Sequence, residues 1–256
     1  MLLAARTHVG LVRPNNQDTY VVRTDVPPVC LVVIADGMGG AQAGEVASKL
    51  AAETVSEFVA EACRSAGAAV EPEQVLRDAV QAANHRVWEA SRNSAEYVGM
   101  GTTLVAALVH DGRVCLAHVG DSRAYVLHDG ELAQVTDDHS LVAELVRRGQ
   151  LTEEEALHHP QRHIVTRSLG TAELADPDVS VRPLADGDVL LLCTDGLSNL
   201  VQPAELRASL LRLRGARVQA DVERAADELI GLALARGGSD NITVALLVHR
   251  EERETA

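Results

Sequence analysis

The sequence predicts an α+β domain with helices packed on antiparallel sheet. Three observations carry that prediction. Short apolar runs rich in Val, Leu and Ile recur along the chain, with the length and branching of strands. Two longer segments, 43–65 and 72–95, are rich in Ala, Glu, Val and Leu at three-and-four spacing and follow one another directly. The order is segregated: strands, a helix pair, more strands, more helices, then a last strand.

The elements follow in order. Strands are expected at 19–24 and 29–35, then the helix pair, whose second member has Pro72 near its start, where a missing N–H costs nothing. Strands are expected at 103–110, 113–119 and 123–128. Asp111-Gly112 and Asp129-Gly130 stand between apolar runs and suit tight hairpin turns with positive φ; Asp186-Gly187 reads as a third. A short helix at 139–148 leads into 149–171, which has no clean period and reads as a long excursion, helical near 152–158. Because it joins the Asp121 region to the Asp195 region, it is expected to act as a mobile flap beside them. Strands at 178–182 and 188–193, helices at 203–212 and 219–235 and a strand at 242–248 complete the chain. No internal repeat or low-complexity segment interrupts it.

The composition narrows the function. The chain has 256 residues, 46% apolar and 23% charged, which is ordinary for a soluble globular protein. Aromatics are only 2%, so base-stacking platforms are not expected and the core must be aliphatic. The net charge is −14 and Lys49 is the only lysine, so nucleic acid and anionic membrane surfaces are not expected partners. The longest apolar runs are about seven residues, against ~20 for a membrane helix, and no signal peptide is visible, so a cytoplasmic protein is expected. Cys30, Cys63, Cys115 and Cys193 form no CxxC pattern and read as buried reduced thiols.

The informative feature is where the aspartates stand. Asp36, Asp121 and Asp195 each follow an apolar run, and Asp240 immediately precedes one. Each has a glycine nearby (Gly37, Gly120, Gly196, Gly238) that lets backbone approach closely. Carboxylates held at strand ends, converging at the rim of a core, are what Mg²⁺ or Mn²⁺ sites require. Asp-Gly is also the commonest turn dipeptide and occurs five times here, so the case rests on the whole set.

Six motifs in order strengthen it: Arg13-Pro14-Asn15-Asn16-Gln17-Asp18, Asp36-Gly37-Met38-Gly39-Gly40, Gly101-Thr102-Thr103, Gly120-Asp121-Ser122-Arg123, Asp195-Gly196-Leu197-Ser198 and Ser239-Asp240-Asn241-Ile242-Thr243. Together they resemble the metal-dependent PPM (PP2C-like) serine/threonine protein phosphatases, bacterial type, over residues 6–249 of what is expected to be a single domain. The resemblance implies a β-sandwich of two antiparallel sheets flanked by helix pairs. It implies two or three divalent cations, Mn²⁺ or Mg²⁺. Asp36 would bridge two of them, the Gly37 carbonyl would add a ligand, Asp195 and Asp240 would complete the first, and Asp18 would hold water near the second. Asp121, with Asp195, would hold the third, with His163 as a further contact. Gln17 stands where eukaryotic members have a glutamate ligand.

The implied chemistry is direct attack on phosphorus by a hydroxide shared between two cations. Arg13 would bind the phosphate, since its fork matches two oxygens. Eukaryotic members carry a histidine after the Asp-Gly pair; Met38 occupies that place and cannot donate a proton, which leaves the general acid open. His139, in Asp137-Asp138-His139-Ser140, reads as structural, with Asp138 or Ser140 capping the next helix. Expected partners are phosphorylated proteins, either substrates of a Ser/Thr kinase or the kinase itself, met by a monomer. A phosphoprotein-binding module without turnover and a small-molecule phosphohydrolase are the alternative readings.

Overall fold

A computed structural model describes residues 1–27, 29–40, 42–66 and 70–250. The chain runs β1 (Leu2–His8), β2 (Asp18–Val26), β3 (Val29–Met38), α1 (Ala43–Ala66), α2 (Pro72–Asn93), β4 (Gly101–Thr102), β5 (Leu104–His110), β6 (Arg113–Val119), β7 (Arg123–His128) and β8 (Glu131–Gln134). It continues α3 (Leu141–Arg147), α4 (Glu153–His158), β9 (Asp178–Pro183), β10 (Val189–Cys193), α5 (Asp195–Ser198), α6 (Pro203–Leu211), α7 (Gln219–Ala235) and β11 (Ile242–Val248).

The strands form two antiparallel sheets. One has the order β1-β11-β10-β7-β8; the other is β2-β3-β5-β6-β9, with β4 paired to β3. Alternation along each strand explains the four layers. On β3, Cys30, Val32 and Ile34 face the opposite sheet, while Leu31, Val33 and Ala35 face α1 and α2. On β10, Leu190 and Leu192 face between the sheets, while Val189, Leu191 and Cys193 face α6 and α7. Both faces of these strands are covered, so they read as unbroken apolar runs, as buried strands do. In α2, Leu76, Ala79, Val80, Ala83 and Val87 supply the buried stripe that packs on the sheet. The largest fully buried side chains are Leu, Ile and Met, as an aromatic-poor sequence requires. All four cysteines are free and buried.

The helix bounds agree with the sequence reading to within a residue or two. Three strands and one helix arise only from tertiary pairing: β1, β4, β8 and α5. β1 is an edge strand held by seven register pairs to β11, and its sequence Leu-Leu-Ala-Ala-Arg-Thr-His has no strand alternation of its own. Asp111-Gly112 and Asp129-Gly130 close hairpins, each with positive φ at both residues (50° and 67°, 47° and 85°), as type I′ turns need. Asp186-Gly187 is a correction. It is a turn with Gly187 at φ 89°, but it joins β9 to β10, which lie in different sheets, so it is no hairpin.

Candidate metal centre

One end of the sandwich collects the acidic residues. β3 ends where β2 begins, and Asp18 and Asp36 are direct register partners there. In the other sheet β10 ends and β11 begins at the same level, which places Asp195 and Asp240. The turn Gly120–Ser122 crosses from β6 in one sheet to β7 in the other and carries Asp121. Five carboxylates from both sheets therefore meet at one rim. Asp195 and Asp36 are close enough to share a hydrogen bond.

The backbone there demands glycine. A Cβ on Gly37 would lie 2.0 Å from the Gly44 carbonyl oxygen, and one on Gly196 would lie 1.9 Å from that of Asn241. Both positions let a neighbouring strand or helix start come close behind the aspartate, which is why Asp-Gly recurs at this rim.

Hydroxyl side chains hold the Asp18 carboxylate and the backbone around Asp36 and Asp121. Thr194 and Thr243, from the opposite sheet, both donate to Asp18 Oδ2, at 2.9 and 2.6 Å. The Thr103 N–H and the Thr102 hydroxyl donate to the Asp36 carbonyl at 2.9 and 2.8 Å, and the Asp36 N–H donates to Thr103 Oγ1 at 3.1 Å. Thr103 Oγ1 also meets Ser122 Oγ at 2.8 Å, beside Asp121. Asn241 holds the loop before Asp18, accepting from the Gln17 N–H and donating to the Val9 and Asn15 carbonyls, at 2.8, 2.9 and 2.9 Å. Apart from Thr194, which directly precedes Asp195, these residues stand inside the motifs, and that adjacency to the aspartates is the one sequence signal for their holding role.

The electrostatics are unbalanced. Burial first, and neighbouring carboxylates next, push Asp18 and Asp121 each up to about 7 and Asp36 well above the carboxylate range. Asp195 is raised by burial and by Asp240. Asp18 Oδ1 is buried with no hydrogen-bond partner. Arg13 pairs with the group directly, with Nη2 2.8 Å from Asp240 Oδ2 and its side chain half exposed, while Arg123, paired to Asp138, lowers Asp121 and Asp195 from further off. A buried carboxylate oxygen without a donor, among like charges, fits hard divalent cations: they supply the missing positive charge to an all-oxygen donor set.

His163 is exposed. A cavity of about 460 Å³ opens beside Asp121 and Asp195, and Arg162 lines it while His163 does not. The segment 149–171 forms its far wall through α4, which starts with a capping box between Thr152 and Glu155. Ser140 caps α3 by accepting from the Ala143 N–H at 3.3 Å. Asp138 caps nothing; it takes the Arg123 fork at 2.7 to 3.1 Å.

A second cluster, His118, His139 and Asp178, has donor atoms within 4.8 Å of one another. It is not arranged for a metal. The Gly120 N–H donates to His139 Nδ1 at 3.1 Å, so the ring proton sits on Nε2, 3.3 Å from Asp178 Oδ2. A cation at Nε2 would require that proton on Nδ1, where Gly120 already points its own.

The family model described as "Protein phosphatase 2C" matches residues 8–230. The chain belongs to the protein phosphatase 2C family. Relatives agree along the whole length. The serine/threonine phosphatase stp of Listeria monocytogenes is 40% identical over 246 residues, covering 96% of this chain and 94% of that one. The crystal structure of the Mycobacterium tuberculosis serine/threonine phosphatase PstP/Ppp superposes with a TM-score of 0.85 at 38% identity, over 97% of this chain and 98% of that one. A PstP catalytic domain in complex with two manganese ions gives a TM-score of 0.82 at 36% identity, over 97% and 98%. This protein phosphatase 2C-family chain is a metal-dependent serine/threonine protein phosphatase of bacterial type with the α-β-β-α sandwich. Among the described residues, no helix is long and apolar enough to cross a membrane.

Proposed function

We propose that the whole chain works as one phosphatase unit that hydrolyses phosphoserine and phosphothreonine in proteins at the five-carboxylate rim. The convergence of Asp18, Asp36, Asp121, Asp195 and Asp240, with Asp18 Oδ1 buried and unpartnered, carries the reading. Asp36, the Gly37 carbonyl, Asp195 and Asp240 would hold two divalent cations, with Asp18 behind them and Asp121 with Asp195 at a third position. When bound, such cations supply Lewis acidity and a water of lowered pKa. The chain's own part is geometric and electrostatic. Thr194 and Thr243 hold the Asp18 carboxylate, and Thr102 and Thr103 hold the Asp36 backbone, before substrate arrives, which is the preorganisation that catalysis needs. Arg13, half exposed and paired to Asp240, would turn its fork to the phosphate oxygens. Met38 has no proton to give, so the leaving alkoxide takes its proton from water.

The cavity walled by α4 sits where the polypeptide around the phosphoresidue would lie, which supports a substrate-selecting role for 149–171. The phosphoproteins would be substrates of a Ser/Thr kinase, or the kinase itself, met by a monomer in the cytoplasm; free buried cysteines suit that compartment.

The test is phosphate release from phosphoserine and phosphothreonine peptides and from p-nitrophenyl phosphate, with Mn²⁺ or Mg²⁺ and with chelator. Cation-dependent turnover of the peptides is expected. Tight binding without turnover would identify a phosphoprotein-binding module. Faster turnover of sugar phosphates than of peptides would identify a small-molecule hydrolase.

A further inference from the structure

The turn that carries Asp121 is held from the flap side. We infer that His139 is a positioning residue, which ties the Gly120–Asp121 turn to the returning limb of the 149–171 excursion and so sets the affinity of the cation position at Asp121. This rests on the reading of Asp121 as a cation ligand.

Only Gly120, Asp121 and Ser122 lie between the end of β6 and the start of β7. Gly120 sits at φ +109°, and a Cβ there would be 2.6 Å from Thr103 Cβ. The turn is thus tight and conformationally demanding, and it needs outside anchors. Ser122 has one, the Thr103 hydroxyl. Gly120 has two, both on His139. The His139 N–H donates to the Gly120 carbonyl at 3.0 Å, and the Gly120 N–H donates to His139 Nδ1 at 3.1 Å. The His139 carbonyl then accepts from the Thr166 N–H at 2.7 Å, and next to it Ser140 bridges to Val165. One residue therefore spans the turn and the flap's return.

The ring is held so that it can do this. His139 is 2% exposed and stacks on His118 with centroids 4.8 Å apart and planes at 19°. Its Nε2 faces Asp178 Oδ2 at 3.3 Å, and Asp178 is in turn met by Arg167. The bond that reaches the turn is the one at Nδ1. The bond at Nε2 only orients the ring.

The two ends of the imidazole can be separated by substitution. Asparagine places its side-chain oxygen near Nδ1 and loses Asp178. Glutamine reaches toward Asp178 and leaves the Gly120 N–H without an acceptor. The experiment titrates the chelator-stripped full chain with Mn²⁺ and counts equivalents by electron paramagnetic resonance of free Mn²⁺. The wild type is expected to take two tight equivalents and a weaker third, and Asp121→Asn to lose the third. His139→Gln should weaken the third ~10–100-fold and leave the first two unchanged, as loss of an outer-shell partner does. His139→Asn should recover most of the loss. If Asp121→Asn removes the third equivalent while both His139 variants keep it, or both lose it alike, the inference is overturned. If the wild type takes only two, or Asp121→Asn keeps all three, the reading of Asp121 fails instead. Should His139→Gln not fold, the wild type decides: ¹⁵N NMR of the His139 ring must find Nδ1 without a proton, and a protonated Nδ1 overturns the inference.

Discussion

The two ends of the sandwich use the same dipeptide for opposite purposes. Asp36-Gly37 and Asp195-Gly196 stand at one rim; Asp111-Gly112, Asp129-Gly130 and Asp186-Gly187 stand at the other. At the far rim the carboxylates are exposed or answered by cations. Asp129 meets Arg214 at 3.2 Å, Asp188 takes His128 Nδ1 at 3.0 Å, and Asp186 lies 3.7 Å from Arg250. At the metal rim, among the described residues, the five carboxylates have one direct ion pair, Arg13 to Asp240, with Arg123 acting from its own pair with Asp138, and four of the five are pushed upward by burial and by each other. The difference teaches that a turn-forming Asp-Gly becomes a site only when the fold buries its charge and withholds the counter-ion.

The largest expected effect is on turnover. Asp36→Asn keeps the shape and removes the charge, so hydrolysis should fall to background while the metal-free melting temperature rises, because a buried like charge is gone. Activity within about tenfold of wild type would break the contrast between the rims. Next comes pH. A carboxylate whose folded pKa is about 7, against an ordinary 3.8, binds its proton more tightly folded than unfolded. Metal-free stability should therefore fall as pH rises from about 4 to about 7, by on the order of a few kcal/mol. Saturating Mn²⁺ should flatten the fall. The His128–Asp188 pair, with an exposed imidazole on a buried carboxylate, moves the same way, since its stabilisation is lost as pH rises through the raised His128 pKa. That pair is blind to Mn²⁺, so the difference between thermal unfolding curves with Mn²⁺ and with chelator reports the metal rim alone. A difference that is constant across this window would contradict the charge imbalance.

Smaller effects sharpen the picture. Arg13→Ala removes one charge-assisted contact and should lower kcat/KM by ~10–100-fold, about 1.5–3 kcal/mol, mainly through KM; an unchanged ratio would separate Arg13 from substrate. Trimming residues 153–160 should depress phosphopeptide hydrolysis far more than p-nitrophenyl phosphate hydrolysis, because the small ester does not need the cavity wall. Equal losses would make α4 a structural support. The smallest effect is at the far rim. Asp129→Asn tolerates the positive φ and gives up only exposed ionic contacts, to Arg214 and His128, so it should cost under ~1 kcal/mol in unfolding and leave kcat unchanged. A loss of kcat there would mean that the two rims are not independent.

Much of this was legible because it is local. Both hairpins at 111 and 129 were readable, since only certain residues accept positive φ twice in succession. The helix pair at 43–65 and 72–95 was readable from its spacing, because a buried stripe is written every three or four residues. The acidic positions were visible as strand-end aspartates, and their ordered motifs led to the family. Other features left no local mark. Asp186-Gly187 has the same letters as the true hairpins, and only the sheet assignment of β9 and β10 distinguishes it. Ser140 rather than Asp138 caps α3 because Arg123, distant in sequence, claims Asp138.

The sequence by itself determined the strand and helix order, the aliphatic core and the identity of the acidic residues, because propensity, periodicity and side-chain chemistry belong to each residue and its neighbours. Only the tertiary structure decided which aspartates lose their counter-ions, which threonines hold them and which face of His139 meets Gly120. Those depend on contacts such as Thr243 to Asp18, 225 residues apart, and on burial, which no residue carries alone.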